Sequence, residues 1–315
     1  MEICETNLFL FEKNVDNVVK IDKTGILIIE GKNITICSPF VTSRPIGGMH
    51  NTVYTHKSKI VNANLILIDA RIANKFLDID QNYPLVVQKS VFFVDENNHF
   101  VILDCPRNFM LSEFFIPNSG TILGFCGSNK VPFQFAAFSA KYFYVIEADL
   151  DTCNVKEKIQ MKVDAVFPYF DGYLIHTDMK LMFYKDGNLD DFYVNIGPES
   201  ICNVSDNNII IGTSIQQQKI CFNIVGGNKF GLCNLQNNLW DFTCGYVVGL
   251  HKNLFVTFSH ILYKDRKLSF KLSKPINNPT FIFAGPNLKE DEIIVIIFGQ
   301  QMFLTCSVPI KILEQ

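Results

Sequence analysis

The chain has 315 residues, 48% of them hydrophobic, with 29 phenylalanines and a formal net charge of −3. Hydrophobicity of that order excludes a disordered chain, and the near-neutral charge excludes a broad electrostatic pull toward nucleic acid or anionic membrane. The longest clean apolar run, Ile293–Phe298, is far below the roughly 20 residues that span a bilayer as a helix.

The length admits one large domain or two ordinary ones, with a sizeable core and no need of covalent staples. The N-terminal Met1-Glu2-Ile3-Cys4-Glu5 is acidic where an export signal is basic, so the chain is expected in the cytoplasm or nucleus and not secreted. Its 10 cysteines are scattered through apolar strand-like runs, with no C-x-x-C and no Cys/His group at zinc spacing. Reduced thiols acting as small hydrophobes are expected, not disulfides and not a metal site.

Helical periodicity is almost absent, and strand patterns broken by Asn, Asp and Gly run from end to end. Residues 5–44 give TNLFLFEK, VVKID, GILIIEG and NITICSP, followed by the polar, Pro/Gly-bearing loop Val41–His50. Then come NLILIDA, IANKFLDI and Pro84–Cys105, in which Asp95–Asn98 is a turn between Val91–Val94 and Phe100–Leu103. A single helical turn is expected over Pro106–Leu111. From Gly120 the units are clearer. Thr121–Gly127, Phe133–Ala140, Lys141–Asp149 and Val155–Val163 form one, the last reading as a wet outer strand whose lysines discourage edge pairing. Ala165–Phe170, Tyr173–Thr177, Leu181–Lys185 and Leu189–Asn195 form the next, divided at Asp171-Gly172, Asp178 and Asp186-Gly187-Asn188. Asp-Gly supplies the positive φ of a tight hairpin. Three more units follow. One holds SICNVSD, NIIIGTS, KICFNIVGG and KFGLCNL; another holds LWDFTCGYVVG, NLFVTFS, HILYKD and KLSFKL; the last holds TFIFAGP, EIIVIIFG, QMFLTCSV and PIKILEQ.

A self-match fixes the period. Phe183–Leu189 (FYKDGNL) matches Leu262–Leu268 (LYKDRKL), and the equivalent hairpin at Phe222–Asn228 lies midway. Tyr184 and Tyr263 are about 80 positions apart, two units of about 40. Four strands in about 40 residues resembles the β-propeller repeat, and over its whole length the chain is similar to a divergent propeller of the WD40-like class. The resemblance implies an all-β, single β-propeller domain over 1–315 with seven four-stranded blades. Dividing the first 117 residues into three units gives eight; six blades, or two β-sandwich domains, are the alternatives. The chain departs from the family in two ways. No unit begins with Gly-His, and the single Trp-Asp, Trp240-Asp241, is read as opening a unit where the family closes a third strand with it. On that reading the family's buried Asp-His-Ser/Thr-Trp network cannot be placed.

Candidate chemistry is sparse. Asp78/Asp80 and Asp149/Asp151 do not continue into a calcium loop, and Asp171, Asp178, Asp186 and Asp206 sit at hairpin ends, where Asp belongs for its turn chemistry. The six histidines show no H-x-x-x-H, no G-x-S-x-G occurs, and Gly226–Gly231 reads as a hairpin turn, not a phosphate loop. No catalytic residue, metal or cofactor is therefore expected, and no small-molecule substrate is evident. Partner-binding candidates are Arg44, His50 and Arg107, in the two least strand-like loops, and Trp240, read as the first residue of an inner strand. Lys264, Arg266 and Lys267 lead a basic cluster that continues to Lys271 and Lys274. It reads as a solvated strand edge, with an RNA contact as the alternative. The expected function is a non-catalytic protein–protein interaction scaffold, a subunit of a larger intracellular assembly. The alternatives are a glycosidase-like propeller enzyme with acids at its central channel, and an RNA- or ribonucleoprotein-associated module.

Overall fold

The computed structural model describes the side chains of residues 15–19, 26–35, 53–69, 88–103, 110–148, 152–177 and 180–191, and elsewhere the backbone of the strands given below. Among the described residues every regular element is a β-strand, and no helix is long and apolar enough to cross a membrane. The strands are β1 (Glu2–Cys4), β2 (Thr6–Leu10), β3 (Asn17–Lys20), β4 (Ile26–Glu30), β5 (Asn33–Cys37) and β6 (Asn51–Thr55). Next are β7 (Ile60–Asp69), β8 (Val87–Asp95), β9 (His99–Asp104), β10 (Phe109–Phe115), β11 (Ile122–Gly127), β12 (Gln134–Ser139), β13 (Tyr142–Ala148) and β14 (Cys153–Gln160). They continue as β15 (Ala165–Tyr169), β16 (Gly172–His176), β17 (Lys180–Lys185), β18 (Asn188–Asn195), β19 (Ile201–Ser205), β20 (Asn208–Ile215), β21 (Lys219–Gly226) and β22 (Asn234–Asp241). The last are β23 (Gly249–His251), β24 (Leu254–Val256), β25 (His260–Tyr263), β26 (Leu268–Leu272), β27 (Phe281–Pro286), β28 (Glu292–Phe298) and β29 (Met302–Pro309).

Consecutive strands pair into meanders. Four-stranded sheets form from β3–β6, β7–β10, β11–β14, β15–β18 and β19–β22. The chain's first two strands join its last two sheets. β2 pairs antiparallel with β29, Thr6 opposite Cys306 and Leu10 opposite Met302, and completes β27–β29. β1 adds to β23–β26 as a fifth strand, parallel to β26, with Ile3 opposite Lys271. The strand carrying Lys271 is therefore covered, which corrects the reading of that segment as a sheet edge. Lys264, Arg266 and Lys267 themselves lie outside the described residues. The backbone falls into two compact units, one of Met1–Glu30, Thr35–Asn51 and Glu199–Gln315, the other of Gly31–Ile34 and Thr52–Pro198.

In the second unit the alternation of side chains assembles two successive cores. Phe135 and Ala137 of β12 and Tyr144 and Ile146 of β13 face the β7–β10 sheet, where they meet Phe92, Phe100, Ile102 and Phe114. Their neighbours Ala136, Phe138, Phe143 and Val145 face the other way, onto Val166, Tyr173, Ile175 and Tyr184. Central strands with both faces covered read as continuous apolar runs, which is why FQFAAFS and YFYVIEA show little alternation. The outer strand β14 has one covered face at most: its lysines are exposed, and Lys158 Nζ lies 4.4 Å from the Tyr142 ring centroid.

Two hairpins of the β15–β18 sheet illustrate different uses of Asp-Gly. At Asp186-Gly187 both residues take positive φ, 47° and 82°, and Lys185 pairs with Asn188, as a two-residue turn requires. At the first hairpin the turn is instead Phe170-Asp171, with Phe170 at φ 48° and Gly172 already inside β16. Gly172 is small for another reason: a Cβ there would stand 2.3 Å from Tyr184 O. The helical turn expected over Pro106–Leu111 is also corrected, since Phe109–Leu111 belong to β10.

Gly127, at the end of β11, marks how tightly neighbouring inner strands approach. A Cβ there would lie 2.4 Å from Leu65 O and 2.9 Å from Ile66 Cα, both backbone atoms of β7. Gly127→Ala is expected to destabilise the fold by about 1–3 kcal/mol, the usual cost of overpacking, read as a lower midpoint in urea unfolding.

Candidate functional site

The site is built where the turn after β8 meets the connections that precede β7 and β11. Asp95 closes β8. Its Oδ1 accepts from the backbone N–H groups of Asn97 and His99, each at 2.9 Å, so the carboxylate itself shapes the turn. Asn98 takes φ 68° there, a conformation Asn tolerates. Its side chain then reaches the next connection: Ile122 N donates to Asn98 Oδ1 at 3.0 Å, and Asn98 Nδ2 donates to Gly120 O. The Tyr144 hydroxyl donates to Ser119 O at 3.1 Å and holds the same connection from below. The loop is therefore fixed by hydrogen bonds from two sheets.

His56 follows β6 directly and is buried. Its Nε2 donates to Asp95 Oδ2 at 3.2 Å, and the Tyr54 hydroxyl lies 3.3 Å from Nδ1. The ring meets Phe93 edge-on with centroids 5.0 Å apart. Its backbone N–H donates to Lys32 O, so the connection before β7 is tied to the β4–β5 turn. Burial pushes the Asp95 carboxyl upward, but the His99 N–H, the His56 ring and the Asn97 N–H outweigh it and hold the group below the ordinary carboxylate range. Near it, Lys57 pairs with Glu113, and His99 Nδ1 sits 3.5 Å from Asp95 Oδ2 and 3.6 Å from Glu113 Oε1 without a hydrogen bond to either.

Over this framework opens a cavity of about 670 Å³ whose lining includes Val61, Asp95, Glu96, His99, Phe115 and Asn118. Phe115 is 61% exposed, the highest value among the large hydrophobic side chains described, and Val61 is 52% exposed. The arrangement suits recognition better than acid–base chemistry. A general acid needs a raised pKa, and a base needs free lone pairs. Asp95 is held ionised, with its oxygens taken by two backbone N–H groups and a histidine. Among the described residues no cluster of three or more His, Cys, Asp or Glu is arranged to hold a metal ion.

Of the candidates read from the sequence, Trp240 alone falls in a described strand. Arg44, His50 and Arg107 lie outside the described residues, as do Lys264, Arg266 and Lys267. Trp240 is next to last in β22, the final strand of its sheet, which corrects its reading as the first residue of an inner strand. The sequence reading missed His56, Asp95, Glu96, His99, Glu113 and Phe115 as a group. One signal was present: a histidine just before a unit and an aspartate at its second turn, 39 residues apart, one repeat period.

His56 and Asp95 thus form a buried link between two turns, with Tyr54 and Phe93 against the rest of the imidazole ring. No family model matches the sequence, and no curated protein matches it. Among solved structures, the WD40 β-propeller domain of Doa1 superposes with a TM-score of 0.55 at 10% identity, over 97% of this chain and 96% of that one. Period, meander pairing and superposition agree, and the chain has the fold of a WD40-like β-propeller.

Proposed function

We propose that the protein is a non-catalytic protein–protein interaction scaffold, a subunit of a larger assembly in the cytoplasm or nucleus. In this reading residues 1–315 form a single seven-bladed domain, and Arg44, His50, Arg107, Trp240, Lys264, Arg266 and Lys267 contribute further partner contacts. The observation that carries it is the exposure of Phe115 and Val61 on a cavity whose walls are fixed by side-chain hydrogen bonds. Exposed apolar groups on a rigid, polar-rimmed frame mark interaction sites. The likeness to a WD40 domain supports the same reading by analogy of fold. The geometry of Asp95 does not favour an enzyme, because its oxygens are taken by two backbone N–H groups and His56, which hold the carboxyl below the ordinary range.

The test is affinity capture of the tagged full chain from its source cells, with mass-spectrometric identification at low and high salt. A stoichiometric protein partner retained at both is expected. Recovery of the chain alone, or of nucleic acid with salt-sensitive retention, counts against the scaffold.

A further inference from the structure

We propose that the cavity between the turn after β8 and the connection before β11 receives a lysine or arginine side chain from an extended segment of a partner protein, with an adjacent apolar residue of that segment resting on Val61. This rests on the scaffold reading, since it names the chemistry of the partner that the scaffold would hold.

Among the described residues, two carboxylates, Asp95 and Glu96, line the cavity, and no lysine or arginine does. Lys57, in the hydrogen-bonded frame, is paired with Glu113. The Asp95 side chain is fully buried and its carboxyl is held below the ordinary carboxylate range by its hydrogen bonds, so it sets a negative field at neutral pH without offering a free oxygen. Glu96 is exposed, and one of its oxygens accepts from the Lys59 N–H at 3.2 Å, which leaves acceptor capacity on the carboxylate for an incoming cation. Phe115 presents an exposed ring beside it, a surface on which a guanidinium or ammonium with its aliphatic stem can lie. Val61 supplies the apolar contact next to these groups. An acidic segment would meet two like charges in the same space, and a purely apolar one would bury Glu96 unpaired. A basic residue with an apolar neighbour satisfies each wall.

The test uses a phage-displayed library of random peptides selected on the purified full chain. Enriched peptides are then measured by fluorescence polarisation against wild type, Glu96→Lys and Phe115→Ser. Both side chains are exposed, so both variants keep the fold, and a thermal unfolding midpoint confirms it. Enrichment of peptides with Lys or Arg beside an apolar residue is expected, with affinity falling about tenfold in Glu96→Lys and several-fold in Phe115→Ser. Enrichment of acidic or uncharged peptides, affinity unchanged in both variants, or no enrichment overturns the assignment. A cellular partner captured equally by wild type and both variants removes the cavity but leaves the scaffold standing; absence of any partner removes both.

Discussion

Replacing Asp95 with alanine is expected to cost the folded state about 3–5 kcal/mol, the range for removing one member of a buried pair. The side chains of Asp95 and His56 are 0% and 2% exposed, so neither can turn to water when the other is lost. Alanine would strand three donors at once: His56 Nε2 and the N–H groups of Asn97 and His99. His56 is buried and His99 half-buried, so the desolvation of their groups is then uncompensated, while Asn97 is exposed and its N–H loses less. Asp95→Asn should lose less, since its side-chain oxygen can still accept from the two backbone groups while its amide faces His56. Equilibrium urea unfolding of the three proteins gives the order wild type, Asn, Ala. Equal stability of Ala and wild type would mean the pair does not hold the turn.

The same carboxylate gives a pH dependence of known sign. Its folded pKa lies below the ordinary value of 3.8, so its contribution is complete above that value and is lost as pH falls through the lower, folded one. Acid should therefore narrow the gap between wild type and Asp95→Ala. A gap that widens on acidification would contradict the assignment of the charged form to the folded state.

These residues show where reading the sequence succeeds. Strands were legible because alternation and Asn/Asp/Gly breaks are local: the ends of β11 to β18 fall within three residues of the runs expected. The repeat was legible too, since Tyr184 and Tyr263 both occupy third strands, β17 and β25, two sheets apart. Pairing partners from opposite ends of the chain were not. Nothing in Glu2–Cys4 announces a parallel partnership with β26, so the Lys271 segment looked like an edge. The two Asp-Gly sequences are locally alike; Gly172 differs because Tyr184 O, on the adjacent strand β17, leaves no room for a side chain. The candidate site was hidden for the same reason. His56 and Asp95 lie one period apart, and only closure of β7 onto β8 places an imidazole against a carboxylate. Phe115 resembles every other Phe in the sequence, and its exposure is decided by its neighbours.

Phe92→Ala is expected to destabilise the protein by about 3–5 kcal/mol, the transfer energy of the ring plus the cavity it leaves. Phe92 is 0% exposed and central to an aromatic cluster: its ring centroid lies 4.7 Å from Phe135, 4.9 Å from Phe125 and 5.2 Å from Phe100. Phe100 and Phe92 come from one sheet, Phe125 and Phe135 from the next, so the ring joins two meanders that cannot each cover their own faces. The neighbouring rings are held by β9, β11 and β12 and cannot collapse inward without breaking strand pairing, which places the cost in the upper part of the large-to-small range. Phe92→Leu should recover about half of the loss by filling most of the volume. Phe115→Ala provides the contrast: the same residue type at 61% exposure should change stability by no more than about 0.5 kcal/mol. Urea unfolding of the three variants measures this directly. A large loss from Phe115→Ala would mean that its ring is packed in the folded protein and so not available to a partner. A small loss from Phe92→Ala would mean that the β7–β10 and β11–β14 sheets do not share a core.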